Sequence, residues 1–160
     1  IICCIKLMCI ENNFELKLFN ESNDLNDLND LNYSTKLEDQ YSDIYEGEYN
    51  DKNINDISNK SKLIIYLQND YNLKKKIDRI IIKIMCSSGI LMIPYNKKID
   101  HILKDEYNCL IFDGDYLKKI FDVLTKYNKY QMIGKNANKY VTNFSINTWV
   151  GNIINLINNK

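Results

Sequence analysis

The stretch Ile84-Met85-Cys86-Ser87-Ser88-Gly89-Ile90-Leu91-Met92-Ile93-Pro94 constrains the fold most tightly. An apolar run with helical spacing breaks at three small residues. A second apolar run, without one polar position, follows at once and ends on the only proline of the chain. The small residues predict a helix stop, with Gly89 supplying the left-handed conformation that closes many helices. The unbroken apolar run predicts a strand buried on both faces, as in parallel sheets. A tight helix-to-strand corner leading into a buried strand is the bland reading of this feature.

The surroundings extend the pattern. Residues 62–67 (KLIIYL) read as another buried strand, and residues 74–86 as a helix with Ile77, Ile80, Ile81 and Ile84 on one face. A short helix is expected over 98–104 and a strand over 109–112 (CLIF). Asp113 or Asp115 can cap a helix at 116–127, where Leu117, Ile120, Phe121 and Leu124 share a face. Another helix follows at 129–142. Ser145 can cap a last one, with Ile146, Trp149, Val150, Ile153, Ile154 and Ile157 on its apolar side. Strands alternating with helices predict an α/β domain with a doubly wound parallel sheet, in which ligands sit beyond the carboxyl ends of the strands.

The first 60 residues differ. Residues 1–20 read as two short strands, IICCIKLMCI and FELKLF, joined at Glu11-Asn12-Asn13 and forming the first strands of the same domain. Residues 21–60 contain the repeat NDLNDLNDLN. Leucine at every third position drifts around a helix, and Asn and Asp side chains compete for backbone hydrogen bonds. With 11 acids against three bases this stretch has a net charge of −8 and is expected to be a disordered acidic insert. Residues 61–160 carry 16 bases and eight acids, a charge of +8 that suits a phosphate-bearing ligand or simply a solvated lysine surface.

The five cysteines form no metal-like or CxxC spacing, and their odd number argues against a disulfide framework. A reducing compartment, the cytoplasm, is expected, with the cytosolic face of a membrane as the alternative. Residues 1–10 are too short to span a bilayer and lack the features of a signal peptide. The chain begins on Ile1 and is expected to be a piece of something longer. No metal and no nucleic acid are expected.

From Lys83 onward the order of features resembles the C-terminal, donor-binding domain of GT-B glycosyltransferases. The nearest group is the retaining, nucleotide-sugar-dependent family 4, also called glycosyl transferases group 1. Its Glu-Ala-Met-Ala-Cys-Gly corner corresponds to Ile84 to Gly89, and its following strand to Ile90 to Ile93. Its Pro-Glu-Ile-Ile-x-Asp-Gly-x-Asn-Gly-Leu-Leu-Phe corresponds to Asp100 to Phe112, and its Pro-Gly-Asp to Asp113-Gly114-Asp115. NFSINTW (143–149) stands at its Phe-Ser-Trp corner. The match covers about 80 residues.

This resemblance implies a Rossmann-like domain holding a UDP- or GDP-sugar, with Ser87, Ser88, Gly89 and Lys76 as candidate substrate-binding residues. It also implies an acceptor-binding N-terminal domain as partner, for which residues before 60 leave no room. Several departures bear on the chemistry. Ile84 and Lys76 stand where the family has paired glutamates, NLKKK (72–76) replaces Glu-Gly-Phe-Gly, and Lys97-Lys98 replaces the Gly-Gly loop. Neither isoleucine nor a lysine pair reproduces carboxylate-to-hydroxyl bonding or a close backbone approach. No catalytic residue is assigned. His101, alone of its kind, Lys74 and Lys75 have structural or solvated readings beside the functional ones. Two functions are carried forward: the donor-binding half of a glycosyltransferase, and a non-catalytic α/β module.

Overall fold

The computed structural model describes residues 2–21, 39–49, 52–67, 79–95, 102–112 and 114–143. Among them are five helices and short parallel strands in two small sheets, a mixed α/β protein. The chain divides into two compact units, residues 1–54 and 55–160.

In the first unit, helix α1 (Ile2–Glu11) replaces the first expected strand. Apolar residues on every side of this stretch leave no period to choose between helix and strand. The deciding residues follow it. Asn13 takes the left-handed conformation (φ 55°), the Phe14 amide reaches back to the Cys9 carbonyl, and that of Asn13 to Ile10. This is a complete helix-closing motif, so Glu11-Asn12-Asn13 stops a helix and does not turn a hairpin. Ile5 and Cys9, one turn apart, are buried, and Lys6 pairs with Asp43 at 2.7 Å.

Strand β1 (Leu18–Glu21) runs parallel to β2 (Tyr45–Tyr49), with an irregularity between Leu18 and Asn20. β2 lies within the stretch expected to be disordered. Its sequence, Tyr-Glu-Gly-Glu-Tyr, alternates half-buried and exposed residues with the two-residue period of a strand. Helix α2 (Ile54–Lys60), which from Asn55 on belongs to the second unit, also falls in that stretch, with Ser58 buried.

The second unit contains β3 (Ile64–Ile65), α3 (Arg79–Cys86), β4 (Leu91–Pro94), β5 (Leu110–Phe112), α4 (Tyr116–Thr125) and α5 (Tyr127–Thr142). The three strands form a parallel sheet in the order β3-β4-β5, with Ile64 opposite Leu91 and Met92 opposite Leu110. β4 is central and buried on both faces, as its sequence predicts. β3 is only half-buried, against expectation, because it pairs on one side alone among the described residues.

Helix α3 buries Ile80, Ile81, Ile84 and Met85. Helix α4 turns Ile120 and Val123 into the core and leaves Phe121 41% exposed, a face rotated from the expected one. Residues 102–104 are not helical. Their backbone is held by Asn108, whose side chain donates to the Ile102 carbonyl (2.9 Å) and accepts from the Lys104 amide (2.7 Å). Residues 98–101 of the expected short helix, and the last helix from Ser145 on, lie outside the described residues.

The corner after α3 closes as expected, but through a different residue. Ser88 holds the left-handed conformation (φ 57°), its amide bonded to Met85 and that of Gly89 to Ile84. A serine there costs about 1 kcal/mol. Gly89 sits in tight quarters, since a Cβ would lie 3.1 Å from the Ile64 side chain and 3.2 Å from that of Ile84.

Tyr130, Ile133, Gly134, Ala137 and Val141 form the buried stripe of α5. A Cβ on Gly134 would overlap the carbonyl oxygen of Ser88 and come within 2.9 Å of its carbon. Helix α5 therefore lies directly on the backbone of the corner. Replacing Gly134→Ala should cost about 3 kcal/mol, because rigid backbone has to move. The same change at Gly114, with open space around it, should cost less than about 0.5 kcal/mol. Urea unfolding of both variants checks this; equal midpoints would overturn the packing described.

Candidate functional site

Parallel strands carry a direction, and the direction separates two edges of the sheet. The carboxyl edge is where α/β proteins hold ligands. Its described residues are Tyr66 and Leu67 after β3, Tyr95 after β4, and Gly114-Asp115 leading into α4. The Tyr66 amide donates to Met92 O and that of Tyr95 to Phe112 O, both at 2.9 Å, so the ladder continues past the strand ends. Tyr95 is 56% exposed. Asp115 occupies the position before α4 but makes no capping bond with its side chain.

Ser87, Ser88 and Gly89 precede β4 and so belong to the amino edge, the opposite one. The Ser87 hydroxyl and the amides of all three are engaged within the protein. The Ser87 hydroxyl lies 3.1 Å from Lys83 O and 3.2 Å from Asn55 Oδ1. The Asn138 amide donates to the Cys86 carbonyl, and Ser88 O faces Gly134. The corner is thus tied to α2 and α5. Lys76, with Lys74, Lys75, Lys97, Lys98, His101, Asp113 and Trp149, lies outside the described residues.

Glu106 is a position that sequence reasoning passed over. It holds φ 57° in the loop before β5. Asp105 beside it accepts the Ile111 amide at 2.6 Å and pairs with Lys119 at 2.9 Å, and Lys119 also donates to the Ile111 carbonyl. These bonds join the loop, β5 and α4, and so hold the entry to α4 in place. Pro94 was the available signal for Tyr95: a proline that ends a buried strand is followed by the first residue of the carboxyl edge.

On the amino edge, an open cleft of about 510 Å³ is lined by Lys62, Leu124, Lys126, Tyr127 and Lys129. Below it Asp122 pairs with Lys126 and accepts the Tyr130 hydroxyl. Those partners hold the Asp122 carboxyl below its ordinary range. The bond to Asp122, with burial adding to it, pushes the Tyr130 hydroxyl up to about 12. Burial raises the Cys9 thiol and pushes that of Cys109 up to about 12. All five cysteines are free.

Among the described residues no group of three metal-ligating side chains gathers, and no helix is long and apolar enough to cross a membrane. No protein-family model matches the chain, and no curated protein does.

Two outcomes follow from this chemistry. With iodoacetamide at mildly alkaline pH, the exposed Cys3, Cys4 and Cys86 should be alkylated in the folded protein, and Cys9 and Cys109 only on unfolding; mass mapping reads this. The fold favours the neutral Tyr130 hydroxyl, so that contribution to stability is whole below pH 10 and declines as pH rises towards 12. Tyr130→Phe should remove this alkaline loss in unfolding titrations, and an unchanged pH dependence would contradict the bond to Asp122.

Proposed function

We propose that the chain is the donor-binding half of a nucleotide-sugar-dependent glycosyltransferase, holding a UDP- or GDP-sugar at the carboxyl edge of β3, β4 and β5. In this reading the parallel sheet is part of a doubly wound, Rossmann-like domain working in the cytoplasm. The acceptor would be supplied from outside residues 61–160.

The observation that carries the reading is Glu106. It adopts φ 57° at the position where the pattern Asp-Gly-x-Asn-Gly of family 4 sets glycine. Glycine is the usual occupant of such a conformation. Asn108, at the pattern's asparagine, clips the loop from inside, and β5 follows with the pattern's apolar residues. A left-handed residue at one of the pattern's glycines and an engaged asparagine at its asparagine support the reading over Ile102 to Phe112.

The second reading, a non-catalytic α/β module, is favoured by Ile84. This residue is fully buried in the core at the position of the family's second glutamate. A carboxylate that binds a ribose hydroxyl has no counterpart there. Transfer would rest on stabilising the leaving diphosphate, as in other phosphate chemistry, with groups yet to be identified.

Titration of the 160-residue chain with UDP-glucose and GDP-mannose, followed by amide NMR, separates the readings. Binding with a dissociation constant of about 1 mM, perturbing Tyr66, Tyr95 and Gly114, is expected of a donor site lacking its carboxylate. No perturbation by either ligand at about 10 mM would leave the non-catalytic module.

A further inference from the structure

Tyr95 combines three properties. Its backbone is fixed, since its amide donates to Phe112 O at 2.9 Å and the preceding Pro94 has a locked φ. The residue is 56% exposed. It also follows β4, the strand flanked by two neighbours, so it stands in the middle of the carboxyl edge. The register pairs Ile65 with Met92, and strand alternation then sets Tyr66 and Tyr95 on the same face of the sheet. A large aromatic surface on a fixed stretch of backbone, at the edge where ligands bind, offers a planar platform.

We propose that Tyr95 is the stacking platform for the base of the bound nucleotide. The inference rests on the donor-site reading above and adds the group that the site recognises. Every nucleobase has a π-face, so stacking on Tyr95 favours nucleotides over bare diphosphate without selecting uracil or guanine. The choice between bases falls to polar groups elsewhere. The hydroxyl of Tyr95 plays no part, which distinguishes a platform from a hydrogen-bonding residue.

The test compares the whole chain with its Tyr95→Ala and Tyr95→Phe variants, titrating UDP and inorganic pyrophosphate by calorimetry. An exposed position allows both variants to fold, and an unchanged urea midpoint verifies it. Tyr95→Ala should weaken UDP about tenfold and leave pyrophosphate unchanged, whereas Tyr95→Phe should bind UDP like the parent. Equal UDP affinity in the parent and Tyr95→Ala overturns the platform and leaves the donor site standing. Loss of UDP in Tyr95→Phe replaces stacking by a hydrogen bond and overturns it too. If the parent binds neither ligand, the donor-site reading falls and the platform with it.

Discussion

The second unit is organised around one close approach, that of Gly134 on α5 to the carbonyl of Ser88. A helix can lie on bare backbone only where it carries no Cβ, and here the corner beneath is itself bare because Gly89 follows Ser88. The approach brings α5 against α3, and the Asn138 amide then reaches the carbonyl of Cys86 at the end of α3. Helix end, corner and strand start become one rigid piece. β4 leaves this piece with both faces covered, and β3 and β5 align on it. The left-handed strain at Ser88 is sustained by the packing around it.

A second set of bonds fixes the other side of the sheet. Between β4 and β5, the side chain of Asn108 substitutes for regular structure by holding the backbone at Ile102 and Lys104. Asp105 and Lys119 then join that loop to β5 and α4. These are partly exposed charges, and an exposed ion pair alone contributes little. Their effect here is geometric: both also bond the backbone of Ile111, so the strand and the helix after it keep one register. The carboxyl edge, with Tyr95 and the Gly114-Asp115 entry to α4, inherits its shape from these bonds.

The two edges therefore divide the work. At the amino edge the Ser87 hydroxyl and the Cys86 carbonyl at the end of α3 are engaged by protein groups, while the cleft at Lys62 stays open. The carboxyl edge presents an exposed aromatic ring and an aspartate free of a capping role. That division moves attention from the small-residue corner, the most conspicuous feature of the sequence, to the far ends of the strands it introduces. Ile84, fully buried, stands where the resemblance sets the second of the paired glutamates.

Where small residues break an apolar run and have one reading, the sequence alone determined the structure: the helix stop before Gly89, the buried strand β4 after it, and the existence of α5. Where the break after an apolar run could be either a helix stop or a hairpin turn, as at Glu11-Asn12-Asn13, it did not. IICCIKLMCI is apolar in every direction, so only the closing bonds at Asn13 and Phe14, and the pairing of Lys6 with Asp43, select a helix. Tyr-Glu-Gly-Glu-Tyr carried a strand period that the acidic composition around it obscured. Which residue of the corner turns left-handed, which glycine serves space and not conformation, and which edge of the sheet Ser87 to Gly89 occupy were decided only by the tertiary structure. Each depends on a neighbour distant in the chain (Gly134, Ile64 or the parallel partner strand), and local sequence holds no record of what will be packed against it.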